Sequence, residues 1–218
     1  MSDFVTTLVS FILGGVASFA ATLVAERLKR SSLAFEIAEP KDVNYANGPP
    51  RPANSARFLR IRVKNEELHS GLRWLGRNAA MFCQGKIDFK KSSGELVFSH
   101  SMPLRWSETP EPVPMQIQIE GATGQIVDNL RYHLEQKVDI PAGESRVMDV
   151  VAQFESEPKC YGWSNESYSF KPNWRNPTRE IDSGTYRVEV TLHHLGGRST
   201  FACELVNEDS KPHLRKIA

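Results

Sequence analysis

The chain has 218 residues, 24% of them charged, and 27 lysines and arginines against 26 aspartates and glutamates leave a formal charge of +1. That balance argues against a general nucleic-acid binder, whose footprint is a large basic excess. Cys83, Cys160 and Cys203 form no CxxC pair and have no histidine at metal-ligand spacing, which argues against a disulfide framework and a metal site and fits reduced thiols.

The first element is "FVTTLVSFILGGVASFAATLVA", residues 4–25, without a charge. As a helix it spans about 33 Å, enough for a hydrocarbon core of about 30 Å, and it predicts one N-terminal transmembrane helix. A cleaved signal peptide would carry a basic start, but Asp3 is the only charge ahead of the run. A buried core helix would need helical neighbours, and the rest of the chain offers few. Arg27, Lys29 and Arg30 follow the run and no Lys or Arg precedes it, which predicts that the following domain faces the cytoplasm. Ser10, Gly14, Ser18 and Thr22 recur at every fourth position, a small-residue face on which helices could meet in a homo-oligomer. Residues 1–30 are thus the anchor and its basic flank, with the lipid bilayer as first partner.

Residues 31–55 read as a linker with a first strand in "LAFEI", through Leu33, Phe35 and Ile37; the proline-rich remainder forbids a continuous helix. From 56 to 208, alternation of period two predicts half-buried strands. "RFLRIRVKN" turns Leu59, Ile61 and Val63 inward. "AMFCQGKIDF" does so with Met81, Cys83, Ile87 and Phe89, and "VPMQIQIEG" with Val113, Met115, Ile117 and Ile119. "GQIVDNLRYHLEQ" is the one helical candidate in the domain, on the spacing of Ile126, Leu130 and Leu134. Later strands follow at Met148, Val150, Ala152 and Phe154, at Tyr186, Val188, Val190 and Leu192, and at Phe201, Cys203 and Leu205, the last two closing a hairpin at Gly196 and Gly197. Residues 209–218 lose the alternation and read as a loose tail. Seven or so strands without alternating helices predict an all-β fold, an antiparallel immunoglobulin-like β-sandwich.

Two groups of residues are candidates for binding. Tyr161, Trp163, Tyr168, Phe170 and Trp174 crowd one loop; with Arg105 and Trp106 of "MPLRWS" they would make an aromatic, basic pocket for a base or sugar ring. The competing and preferred expectation buries these rings as a satellite core. Arg60, Arg62 and Lys64 form a cationic stripe suited to anionic lipid or a phosphate-bearing ligand, although such faces are more often merely solvated. No Walker or dinucleotide fingerprint, no catalytic motif and no cofactor motif is present, and His193 and His194 fall on opposite strand faces.

The set "RFLRIRVKNE", "LGRNAAMFCQGKIDF", "MPLRWS", "DIPAGES", "CYGWSNESY" and "GTYRVEVTL" resembles prokaryotic membrane-anchored proteins of uncharacterised function that carry an immunoglobulin-like sandwich. The resemblance implies architecture only and transfers no catalytic residue. The expected function is a non-enzymatic, single-pass membrane protein whose cytosolic sandwich binds a protein partner or small-molecule ligand at the membrane. The alternative is a nucleotide-sensing membrane effector of the antiviral-defence type that oligomerises through its helix to disrupt the bilayer.

Overall fold

A computed structural model describes residues 2–44, 55–111, 115–119, 122–126, 137–155, 157–170, 174–208 and 211–217, with side chains from Phe11 onward except Ile12 and those of 115–126. The chain opens with helix α1, Ser2–Lys29, about 42 Å of helix. Its last turn carries Arg27 and Lys29, cations at the negative end of the helix dipole. Phe11, Leu13, Val16, Phe19, Leu23 and Val24 are all more than half exposed. Their helical positions spread over more than half of the circumference, and alanines and glycines fill most of the remainder. On the expected helix-contact face, the Thr22 hydroxyl donates to the Ser18 carbonyl at 3.0 Å and a side chain added at Gly14 would touch nothing within 4 Å. The Ser10 side chain lies outside the described residues. Among the described residues, no helix is long and apolar enough to cross a membrane.

The rest is mostly strand, in two antiparallel sheets. One has the order β1 (Leu33–Asn44), β2 (Ser55–Asn65), β9 (Ser145–Phe154), β10 (Cys160–Gly162), β11 (Glu180–Ile181), with β5 (Arg105–Trp106) also on β9. The other runs β14 (His213–Lys216), β13 (Gly197–Asn207), β12 (Gly184–His194), β3 (Ala80–Lys90), β4 (Met102–Pro103), with β8 (Val138–Ile140) also on β3. The alternating apolar residues of the two sheets share one core, where Leu59, Ile61, Val63 and Met148 meet Ile87, Phe89, Val188, Val190 and Cys203. "MPLRW" crosses between the sheets: Met102 pairs with Ile87 in one and Trp106 with Met148 in the other, and the Leu104 amide between them donates to the Gly85 carbonyl at 2.9 Å.

Several sequence expectations change. Strand β1 runs on through the expected linker to Asn44, because an irregularity between Ala38 and Lys41 accommodates Pro40, which lacks an amide to donate. In β3 a similar shift between Ala80 and Cys83 turns both of those inward, so Met81 is only half buried, while Phe82 stays exposed as the alternation from Cys83 places it. "VPMQIQIEG" supplies β6 (Met115–Ile119), which pairs with β7 (Ala122–Ile126) in a separate hairpin. The start of the helical candidate, Gly124–Ile126, is therefore strand; Val113, Leu130 and Leu134 lie outside the described residues. His194 pairs with Gly197, which places the final hairpin turn at Leu195 and Gly196, with Gly196 at φ 104°. The tail is not loose throughout: His213–Lys216 adds to the edge of β13, with Leu214 half buried on the core.

Candidate functional site

The aromatic residues are packed rather than presented. Opposite Leu59 and Arg60, the pairing of β9 skips Val150, so a bulge reverses which face the following residues take. Beyond it Ala152 and Phe154 turn to the outer side of the sheet, where they join Ala56 and Phe58, which the alternation of β2 already places there, in an apolar patch that water would contact. Trp163, Tyr161, Tyr168 and Trp174 cover it. Trp163 is fully buried, with ring centroids 5.4 Å from Phe58, 5.8 Å from Phe154 and 5.2 Å from Tyr168 in edge-to-face contacts. Tyr168 meets Trp174 at 5.1 Å. A short capped turn, Asn165–Ser169, holds this loop: the Glu166 amide donates to the Ser164 hydroxyl at 3.3 Å. Trp106 belongs to the main core instead. Of the two expectations for these rings, the structure has the satellite core rather than an open stacking pocket, because they cover the apolar patch to which the bulge adds Ala152 and Phe154.

Arg105 is brought to Tyr168, its guanidinium 5.0 Å from the ring centre, but it is almost fully buried. Its Nη1 donates to Asn165 Oδ1 at 2.5 Å and its Nη2 to the Thr109 carbonyl at 2.6 Å, while Nε lies 3.7 Å from Asp149 Oδ2. The Ser107 hydroxyl donates to the other Asp149 oxygen at 2.5 Å. Burial raises the Asp149 carboxyl above its ordinary range, against the pull of Ser107, Arg105, Arg60 and Lys41 toward ionisation. This group forms the wall of a cleft of about 250 Å³, lined also by Lys41, Glu108 and Tyr168. Arg105 and Asp149 are taken up by these contacts and stiffen the wall, while the exposed ammonium of Lys41 and carboxylate of Glu108 are what the cleft offers a small polar ligand with an anionic group and donors. Sequence reasoning found Arg105 but not Asp149 or Lys41, since their meeting depends on irregularities in two strands. Among the described residues, no three His, Cys, Asp or Glu side chains gather to hold a metal ion.

The cationic stripe is largely spoken for. Arg60 donates twice to the Glu39 carbonyl, at 3.0 and 2.7 Å, and Arg62 pairs with Glu36 at 2.6 Å. Lys64 remains exposed. Neighbouring β1 thus supplies the counter-groups, which the period of β2 alone cannot reveal.

A second, wider groove of about 550 Å³ opens where α1 joins the sheets, between Arg30, Ser31, Asn78, Met81, His194 and Arg198. Buried Asn65 organises this end. Its Nδ2 donates to the Asn78 and Ile140 carbonyls at 2.9 and 3.0 Å, its Oδ1 accepts from the Ser32 amide at 3.1 Å, and the Asn78 amide donates to the Lys29 carbonyl at 2.7 Å. One side chain therefore ties the foot of the helix to both sheets. No family model, curated protein or solved structure matches the chain.

Proposed function

We propose that the protein is a non-enzymatic, single-pass membrane protein whose immunoglobulin-like sandwich, on the cytoplasmic side, binds a partner or small polar ligand beside the bilayer. The observation that carries this is α1: a 28-residue helix with its large apolar side chains exposed and basic residues at its end. A helix apolar on all sides needs a surrounding apolar phase. The uncharged run of residues 4–25 extends beyond the described side chains, and its full length as a helix would match the hydrocarbon thickness, while the cations after it favour the cytoplasmic side. The immunoglobulin-like assignment is supported by strand order, since β1-β2-β9 in one sheet and β3-β12-β13 in the other correspond to the A-B-E and C-F-G strands of that fold. For the ligand, the cleft beside Arg105 and Asp149 is the favoured place.

Alkaline carbonate washing of membranes containing the full chain tests the anchor. The protein should stay in the pellet, whereas a variant carrying Val16→Lys and Phe19→Glu should be released. Release of the unmodified chain would sink the proposal. The nucleotide-sensing alternative loses its stacking rings to the satellite core and keeps only the small-residue helix face, so it is not favoured here.

A further inference from the structure

We infer that the end of the sandwich carrying α1 is itself a membrane-docking surface, with Trp74, Phe82 and Leu195 inserted among lipids and the groove around Arg30 and Arg198 holding anionic headgroups. The inference rests on the anchor reading and assigns to the bilayer a surface of the folded domain as well as the helix.

Distance forces this end close to the lipid. Four residues of helix, Glu26 to Lys29, separate Ala25, the end of the apolar run, from Arg30, a rise of about 6–8 Å from Ala25 to Arg30, and each headgroup layer is about 5–8 Å deep. Only Ser31 and Ser32 then precede Leu33 of β1. No spacer exists that would lift the domain off the surface, and the Asn78 and Asn65 hydrogen bonds fix the helix foot to it.

What this end displays fits that position. Outside α1, six large apolar side chains are exposed among the described residues, and four of them lie at this end: Leu72 and Trp74 in the 3-10 turn Ser70–Leu75, Phe82 near the start of β3 and Leu195 in the final hairpin turn. Trp74 is 80% exposed and Leu195 68%. Phe82 sits at φ 56°, a left-handed conformation unfavourable for an aromatic residue, held by its amide donating to Asp139 Oδ1 at 2.7 Å. The phenyl ring stands 55% exposed on the outer face of the strand, next to inward Cys83. The Leu195 amide donates to the Met81 carbonyl at 2.9 Å, so the Phe82 and Leu195 segments adjoin. Tryptophan and phenylalanine among arginines are the side chains that favour the membrane–water interface.

Charge completes the fit. Most of the acids at this end have partners: Glu67 pairs with Arg73 at 2.8 Å, Glu144 with Arg146 at 3.4 Å, Glu26 with Lys29 at 3.7 Å, and Asp139 accepts from Phe82. Glu66 also lies here. Arg27, Arg30, Arg77 and Arg198 have no ion-pair partner among the described residues. A cationic groove rimmed by exposed apolar groups is complementary to an anionic leaflet.

The test uses the full chain reconstituted into vesicles of phosphatidylcholine, with or without phosphatidylserine, whose acyl chains are brominated near the headgroup. Trp106, Trp163 and Trp174 are buried, so bromine quenching of tryptophan fluorescence reports mainly on Trp74. The expected result is quenching that rises with phosphatidylserine and is lost in Trp74→Phe. Arg30→Gln with Arg198→Gln should weaken docking by roughly fivefold per cation removed. Circular dichroism checks that both variants stay folded. Protein that floats with the vesicles but is not quenched, at either lipid composition, overturns the docking surface and leaves the anchor standing. Protein that does not float overturns both.

Discussion

Replacing Trp163 with alanine separates a packing role from a binding role for the aromatic loop. The ring is fully buried between Phe58, Phe154 and Tyr168. A tryptophan buries about 150–250 Å², worth about 4–6 kcal/mol at about 25 cal/mol per Å². Measured truncations of this kind cost about 3–5 kcal/mol, because the cavity partly relaxes. Set against a domain stability of about 5–15 kcal/mol, that is a large fraction, and it should lower the melting temperature by roughly 10 °C. The assay is urea unfolding of the full chain in detergent, followed by far-ultraviolet circular dichroism. Trp74→Ala is the control: its ring is 80% exposed and should change stability by no more than about 0.5 kcal/mol. A Trp163→Ala variant within about 1 kcal/mol of the parent would refute the satellite core and return the ring to the list of ligand contacts.

Asp149 makes a pH prediction with a definite sign. Its carboxyl is raised above the ordinary value of 3.8, first by burial, so its ionisation is harder in the folded state. Its contribution to stability is fully present below the unfolded value and is lost as pH rises through the raised one. Asp149→Asn does not titrate; its stability relative to the parent should climb with pH from about 4 and then level off, and a flat or falling difference would contradict the burial. The thiols give a simpler test. Burial pushes Cys83 up to about 11 and Cys160 and Cys203 up to about 12, and all three are free and buried. Ellman's reagent at pH 8 should therefore find no reactive thiol in the native protein and three after unfolding; a rapidly reacting native thiol would show one of these sites to be open.

The strands that were legible in the sequence are those whose two faces differ in chemistry. Leu59, Ile61 and Val63 against Arg60, Arg62 and Lys64 settle the register of β2 without help from the rest of the chain, and Val188, Val190 and Leu192 do the same for β12. Bulges were not legible, since inserting one residue leaves composition unchanged while reversing a face. Those at Val150 and between Ala80 and Cys83 account for the outward Ala152 and Phe154, which the aromatic loop covers, and for the inward Ala80. The tail strand was hidden because edge pairing uses backbone groups, which His213–Lys216 supplies whatever its side chains. Asn65 and Asp149 were invisible for a related reason: each matters through partners far away in sequence, the Asn78 and Ile140 carbonyls for one and Arg105 and Ser107 for the other.

Membrane topology tests the central claim most directly. The measurement fuses to the C-terminus of the intact chain, in turn, a reporter active only inside the cell and one active only outside it. A single pass with Arg27, Lys29 and Arg30 on the cytoplasmic side predicts activity of the internal reporter alone, in the membrane fraction. Activity of the external reporter would contradict the assigned orientation and place the sandwich outside. Activity of the internal reporter in the soluble fraction would contradict the anchor itself.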